Sequence, residues 1–288
     1  KPEYPYFGSL AWAFFWKLSN LDYEYFGRIF FNIVLCFSIY SIVDLLKISN
    51  LKKLILFLIF LFVIYDYWHL RGSQEILVFS FLLICSKYLY LFVNEKKIDY
   101  GQLIIFFLSL NLLIWTKNEG IFFGLFVVIT FLFYSKINLK FKIIIFTIFL
   151  LLAINRFTIF DIYGLSTNIA DKDDFNLLNL FSSLINNLSL YNLYFITKNV
   201  LFSVVKFPFI IISLFFMFIL FNKITIKKKN FFIFFYFILN IFFIYFIYFS
   251  ATPHLELMVL TSLNRILFES SAPFLLFPVI YMKKIFKI

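Results

Sequence analysis

Cysteine, histidine and acidic residues are all scarce in this chain, and each scarcity removes a class of function. Only Cys36 and Cys85 are present, both inside apolar runs and without CxxC spacing, so neither a disulfide framework nor a zinc site is indicated. The two histidines, His69 and His254, have Asp66, Glu75 and Glu256 near them in sequence but show no HxxxH or HExxH spacing, so no metal centre or other cofactor is indicated. Charged residues make up 14% of 288 positions, too few for one soluble core in a chain that is 63% hydrophobic. The 15 Asp and Glu face 26 Lys and Arg, a net charge of +11. These cations fall in short clusters between apolar runs instead of along one polar face, which argues against nucleic acid as a partner.

What remains is apolar. A mean hydropathy of +0.96 marks a polytopic membrane protein, all-α, with the whole of 1–288 as one transmembrane domain. The 48 phenylalanines, with abundant Ile, Lys and Asn, match the bias of an AT-rich coding sequence and carry no functional message. The chain opens at Lys1 in a polar, proline-containing stretch, the expectation for a fragment whose upstream part is missing.

Lys1 to Tyr6 reads as a loop, because Pro2 and Pro5 do not fit a helix interior. Phe7 to Trp16 is apolar, yet ten residues rise only about 15 Å against a bilayer core of roughly 30 Å, so an interfacial helix is expected. The hydrophobic runs then predict about nine spans: Phe26–Leu46, Leu54–Tyr67, Ile76–Val93, Leu103–Trp115, Ile121–Tyr134, Ile143–Ile154, Leu201–Phe221, Phe231–Phe249 and Phe268–Met282. Leu177, Leu178, Phe181, Leu184, Ile185 and Leu188 recur at helical intervals and predict an amphipathic helix along the membrane surface.

Every second junction is rich in lysine: Lys47, Lys52 and Lys53, then Lys96 and Lys97, then Lys136, Lys140 and Lys142. Lys223 and Lys227 to Lys229 follow, and Lys283, Lys284 and Lys287 close the series. The positive-inside rule makes this the cytoplasmic side, with the first residue outside and the last inside a bacterial cytoplasmic membrane. The alternate junctions carry mixed acid, base, His, Pro and Gly. Function is expected on their outer face.

Four outer stretches hold the candidate chemistry. Pro2-Glu3-Tyr4-Pro5 brings a carboxylate into a rigid loop, and Asp66 to Glu75 gathers Asp66, His69, Arg71 and Glu75 at the end of an apolar helix. Thr116-Lys117-Asn118-Glu119-Gly120 places an ammonium and a carboxylate two residues apart in a tight hairpin, where amides opening the next helix favour anions. Thr252-Pro253-His254-Leu255-Glu256 is followed by Thr261 to Arg265. Nine residues separate Glu256 from Arg265, so one continuous helix points them to different faces. Each stretch also has a plain reading, as a rigid loop entry, an aromatic belt, a polar turn or a snorkelling arginine.

In this order the motifs resemble a bacterial branch of the GT-C-fold membrane glycosyltransferases, the group related to protein O-mannosyltransferases and the aminoarabinose transferase. The proline-tyrosine loop with its interfacial helix, the lysine-asparagine-glutamate-glycine turn at Lys117 to Gly120 and the threonine-proline, histidine, serine and arginine pattern from Thr252 to Arg265 carry the resemblance. It implies transfer of a sugar from a polyprenyl-phosphate lipid donor to a glycan, lipid or protein acceptor at the extracytoplasmic face. On that implication Glu3, Asp66 and Glu119 are the candidate bases, and Tyr4, His69, Lys117, Asn118, His254, Glu256 and Arg265 the candidate contacts to substrate or lipid phosphate. The family's principal acid lies in its first outer loop, and the resemblance implies that this chain begins beyond that point, so the principal base is expected on the missing piece. Two rivals are a surface-polysaccharide polymerase or ligase, served by Arg156 and His254, and a transporter, which predicts interrupted helices with ionisable groups at mid-bilayer. Asn32, Asn111 and Asn240 are the polar residues deep within the spans.

Overall fold

The computed structural model describes residues 7–19, 26–64, 73–94, 99–162, 177–223, 231–250 and 255–285, and among them every regular element is helical. The helices are α1 (Phe7–Ser19), α2 (Phe26–Val43), α3 (Asn50–Ile64), α4 (Gln74–Asn94), α5 (Tyr100–Thr116), α6 (Glu119–Tyr134) and α7 (Leu139–Ile162). They continue as α8 (Leu177–Asn187), α9 (Leu190–Val205), α10 (Pro208–Lys223), α11 (Phe231–Phe249), α12 (Leu255–Ser270) and α13 (Leu276–Ile285). As helices, long apolar runs bond their own backbone, which an apolar surrounding demands. Hydroxyls inside them are satisfied in the same way: Ser86 donates to the Leu82 carbonyl at 2.7 Å and Thr130 to that of Phe126 at 2.7 Å.

The bundle is built round α4, which packs against α2, α5, α6 and α12. Of its apolar window 83% is buried, the largest share among the long helices. Aromatic rings make much of the seal. Phe79 of α4 stacks on Phe268 of α12 with centroids 4.6 Å apart, and Phe243 of α11 meets Phe122, Phe123 and Phe126 of α6. The outward surface is apolar too, with Phe62 83% and Phe133 73% exposed. Such a surface has no favourable contact with water over its whole girth.

By length and composition α4, α7 and α11 can each cross a bilayer, and two bent pairs, α9 with α10 and α12 with α13, raise that number to five. Helices α2, α5 and α6 are apolar but shorter. Three sequence expectations need correction. The single span Leu201–Phe221 is two helices meeting at 101°, because Pro208 lacks an N–H and opens a new helix instead of continuing α9. The span Ile143–Ile154 is the middle of the longer α7, since nothing between Ile154 and Ile162 breaks a helix; Arg156 therefore lies within it and does not open a loop. The last span also starts early, as α12, and bends by 40° at a 3-10 turn, Ala272–Leu275, that carries Pro273. At that bend the Ser270 and Ser271 hydroxyls donate back to the carbonyls of Leu267 and Phe268.

Candidate functional site

The hairpin between α5 and α6 is unusually tight. Gly120 packs so closely on the preceding helix that a Cβ there would stand 2.0 Å from the Leu113 carbonyl oxygen, so only glycine fits. The Gly120 and Ile121 amides donate to the carbonyls of Lys117 and Asn118 at 3.1 and 3.2 Å, turning the chain straight into α6. Lys117, the C-cap of α5, is thereby aimed into the bundle with 6% of its surface exposed.

There it meets three carboxylates. Its Nζ lies 2.6 Å from Glu269 Oε1 on α12, 3.2 Å from Glu75 Oε1 on α4 and 4.0 Å from Glu119 Oε1 on α6. Of the ammonium's three N–H donors, two are taken by Glu269 and Glu75, and Glu119 stands beyond hydrogen-bond distance as a further ion-pair partner. Burial by itself disfavours the charged lysine, but Glu269, Glu119 and Glu75 outweigh it and hold Lys117 above the usual lysine range. Glu269 is fully buried, which an ionised carboxylate tolerates only when paired.

Two arginines complete the cluster, one from α12 and one from α7. Arg265, one turn before Glu269 on α12, stands 3.6 Å from Glu75 Oε1 with 43% of its side chain exposed. Arg156 reaches from α7 and is 2% exposed. It donates to the carbonyl oxygens of Ile114 at 2.8 Å and Lys117 at 3.4 Å, and also to Asn118 Oδ1. Close by, Tyr248 at the end of α11 shares a 3.0 Å hydrogen bond with Ser262 of α12. The outer oxygens of Glu119 and Glu269 are buried and accept no hydrogen bond.

Of the residues expected from sequence, the fold thus brings Lys117, Asn118, Glu119 and Arg265 together. Glu256 lies on the same helix as Arg265 but elsewhere, accepting a hydrogen bond from Tyr191 of α9 at 3.1 Å. Glu3, Tyr4, Asp66, His69 and His254 lie outside the described residues. Among the described residues no group of His, Cys, Asp and Glu is arranged to hold a metal ion. Lys117 sits between the three carboxylates, where such an ion would have to stand.

Sequence reasoning held Glu75 only as one member of the Asp66–Glu75 stretch, gave no site role to Glu269 and did not place Arg156 at the hairpin. Two of these carry a plain signal. Arg156 is the only charged residue between Lys142 and Asp161, and Glu269 the only one between Arg265 and Lys283. A lone charge in an apolar helix is costly enough to demand a partner.

The cluster occupies one end of the bundle. Glu75 opens α4, whereas Lys283 of α13 lies over the Tyr90 ring near the other end of that helix, 5.4 Å from its centroid. Comparison with models of known protein families, with curated proteins and with solved structures gives no match.

Proposed function

We propose that this chain is an integral membrane glycosyltransferase that moves a sugar from a polyprenyl-phosphate donor to an acceptor at the extracytoplasmic face. In this reading the helices form a bundle of about nine spans in a bacterial cytoplasmic membrane, with the lysine-bearing junctions inside. The observation that carries it is a surface-reaching cation, Arg265, paired with Glu75 beside the Glu119 and Glu269 carboxylates that surround Lys117, at the end of the bundle away from Lys283. A donor phosphate at headgroup level needs such a guanidinium, and an acceptor hydroxyl needs a carboxylate such as Glu119 to take its proton.

The geometry also divides the work differently from the sequence motifs. Lys117 is engaged by carboxylates, so Arg265 is the phosphate ligand of the cluster and Lys117 the charge that holds the acids in place. The first turn of α1 touches this end as well, with Gln74 Nε2 donating to Ser9 Oγ at 3.4 Å.

The test is donor binding and transfer by the protein in lipid nanodiscs, using a radiolabelled polyprenyl-phosphate hexose. Arg265→Met is expected to weaken donor binding by about tenfold to a hundredfold, the range for a lost charge-assisted bidentate contact. Undiminished binding by Arg265→Met, or no binding by the unaltered protein, sinks the proposal.

One observation favours a transporter instead: the two bent helix pairs, one of them bearing the buried Glu269 next to its bend. Proteoliposomes that accumulate a solute against a gradient, and transfer no sugar, would decide for that reading.

A further inference from the structure

Arg156 is a buried cation that, among the described residues, has no carboxylate in ion-pair contact, a costly placement for a guanidinium unless its hydrogen bonds serve a purpose. Those bonds have a clear pattern. Ile114 and Lys117 contribute carbonyls from the last turn and cap of α5, groups that have no partner within their own helix. Asn118 offers its side-chain oxygen from the residue before α6. The planar fork of one side chain therefore joins the end of one helix to the start of the next, across the turn that carries Lys117 and Glu119. A planar fork with separate N–H groups suits such spaced partners better than a point-like ammonium. The guanidinium is further seated over the Phe160 ring, its carbon 5.3 Å from the centroid, so α7 presents it in a defined direction. On the far side of the turn, Gly120 rests against Leu113. The turn is held from two sides.

We infer that Arg156 is the positioning residue of the site: it fixes the Lys117–Glu119 turn so that Glu119 is held at its working distance from Lys117 without itself touching donor or acceptor. The catalytic part of this inference rests on the glycosyltransferase reading; the structural part does not.

The experiment therefore has two arms, both on the full chain in nanodiscs, with Arg156→Met and Arg156→Lys. In the first arm, amide hydrogen exchange is followed by mass spectrometry in peptides covering residues 113–121. Exchange there is expected to rise by about tenfold or more in Arg156→Met, the equivalent of one lost hydrogen bond to a charged group, with α11 and α4 unchanged. Arg156→Lys should fall between the two, since it keeps the charge and loses the fork. An unchanged turn in both variants overturns the inference, and so does a rise spread evenly over all helices, which marks Arg156 as a general stability residue. Should Arg156→Met fail to fold, Asn118→Ala removes one limb of the bridge and is expected to give the same local rise.

In the second arm, kcat is expected to fall about a hundredfold in Arg156→Met, the scale for a misplaced reacting group, while KM for the polyprenyl-phosphate hexose stays within about twofold. A raised KM at unchanged kcat overturns the positioning role, because it makes Arg156 a donor contact. If the unaltered protein transfers no sugar while the first arm gives its local rise, the glycosyltransferase reading and the catalytic half of the inference both fall and the turn assignment stands.

Discussion

Lys117 Nζ and Glu269 Oε1 stand 2.6 Å apart although 152 residues separate them in the chain. The pair ties the α5–α6 hairpin to α12, and Glu75 at 3.2 Å from the same nitrogen adds α4. One buried ammonium thus links three parts of the bundle at a single end.

Removing that ammonium strands buried carboxylates. Lys117→Met is expected to destabilise the protein by about 3–5 kcal/mol, the range for breaking one side of a buried ion pair. Denaturant titration in a mild detergent would measure it. The double variant Lys117→Met with Glu269→Leu should recover a large part of the loss, because the two sites are in contact and their effects do not add. A double variant as unstable as the sum of its parts would count against the pairing.

The pH dependence of the same group has a definite sign. The carboxylates raise the Lys117 pKa above its ordinary value of 10.5, so its stabilisation is complete below that value and fades only as pH rises through the still higher value in the folded protein. Thermal melts of unaltered protein and Lys117→Met should therefore differ by at least as much at about pH 10 as at about pH 7. A difference that shrinks steadily across that window would contradict the cluster as described.

Gly120→Ala tests the tightness of the hairpin. Its methyl group would meet backbone, with Leu113 carbonyl oxygen at 2.0 Å and carbon at 2.9 Å, and backbone cannot swing aside. A loss of roughly 1–3 kcal/mol is expected, the scale of overpacking. Gly101→Ala is the control: the nearest atom is Asp99 Oδ2 at 3.5 Å, an ordinary contact, so stability should be unchanged or slightly raised. Equal effects at the two glycines would refute the close approach.

The proposed orientation can be read by labelling. In a variant lacking Cys36 and Cys85, single cysteines at Lys136 and at Glu256 are exposed to a membrane-impermeant maleimide on intact cells. Glu256→Cys should label and Lys136→Cys should label only after lysis. The reverse pattern would invert the assignment of sides, and with it the face on which Arg265 works.

Much of the cluster was legible before any coordinates. Lys117, Asn118, Glu119 and Arg265 stand out because a mix of acid, base and amide at a junction between apolar runs differs from the lysine-rich junctions and is not explained by packing. Glu256 shared that signal yet stands apart, bonded to Tyr191, because helical phase sends residues nine apart to different sides. The break at Pro208 was also on the page as a residue type, but an apolar run on both sides of it reads as one span until the 101° angle is seen.

Hydropathy and charge spacing alone determined that this is an all-helical chain with apolar segments punctuated by lysines, since helix is the form in which long apolar runs satisfy their own backbone. They also singled out the turn from Lys117 to Gly120. The tertiary structure alone decided which distant charges that turn meets. Glu75, Arg156 and Glu269 lie 42, 39 and 152 residues from Lys117. A buried charge selects its partners by three-dimensional distance and desolvation, and neither quantity is written in local sequence.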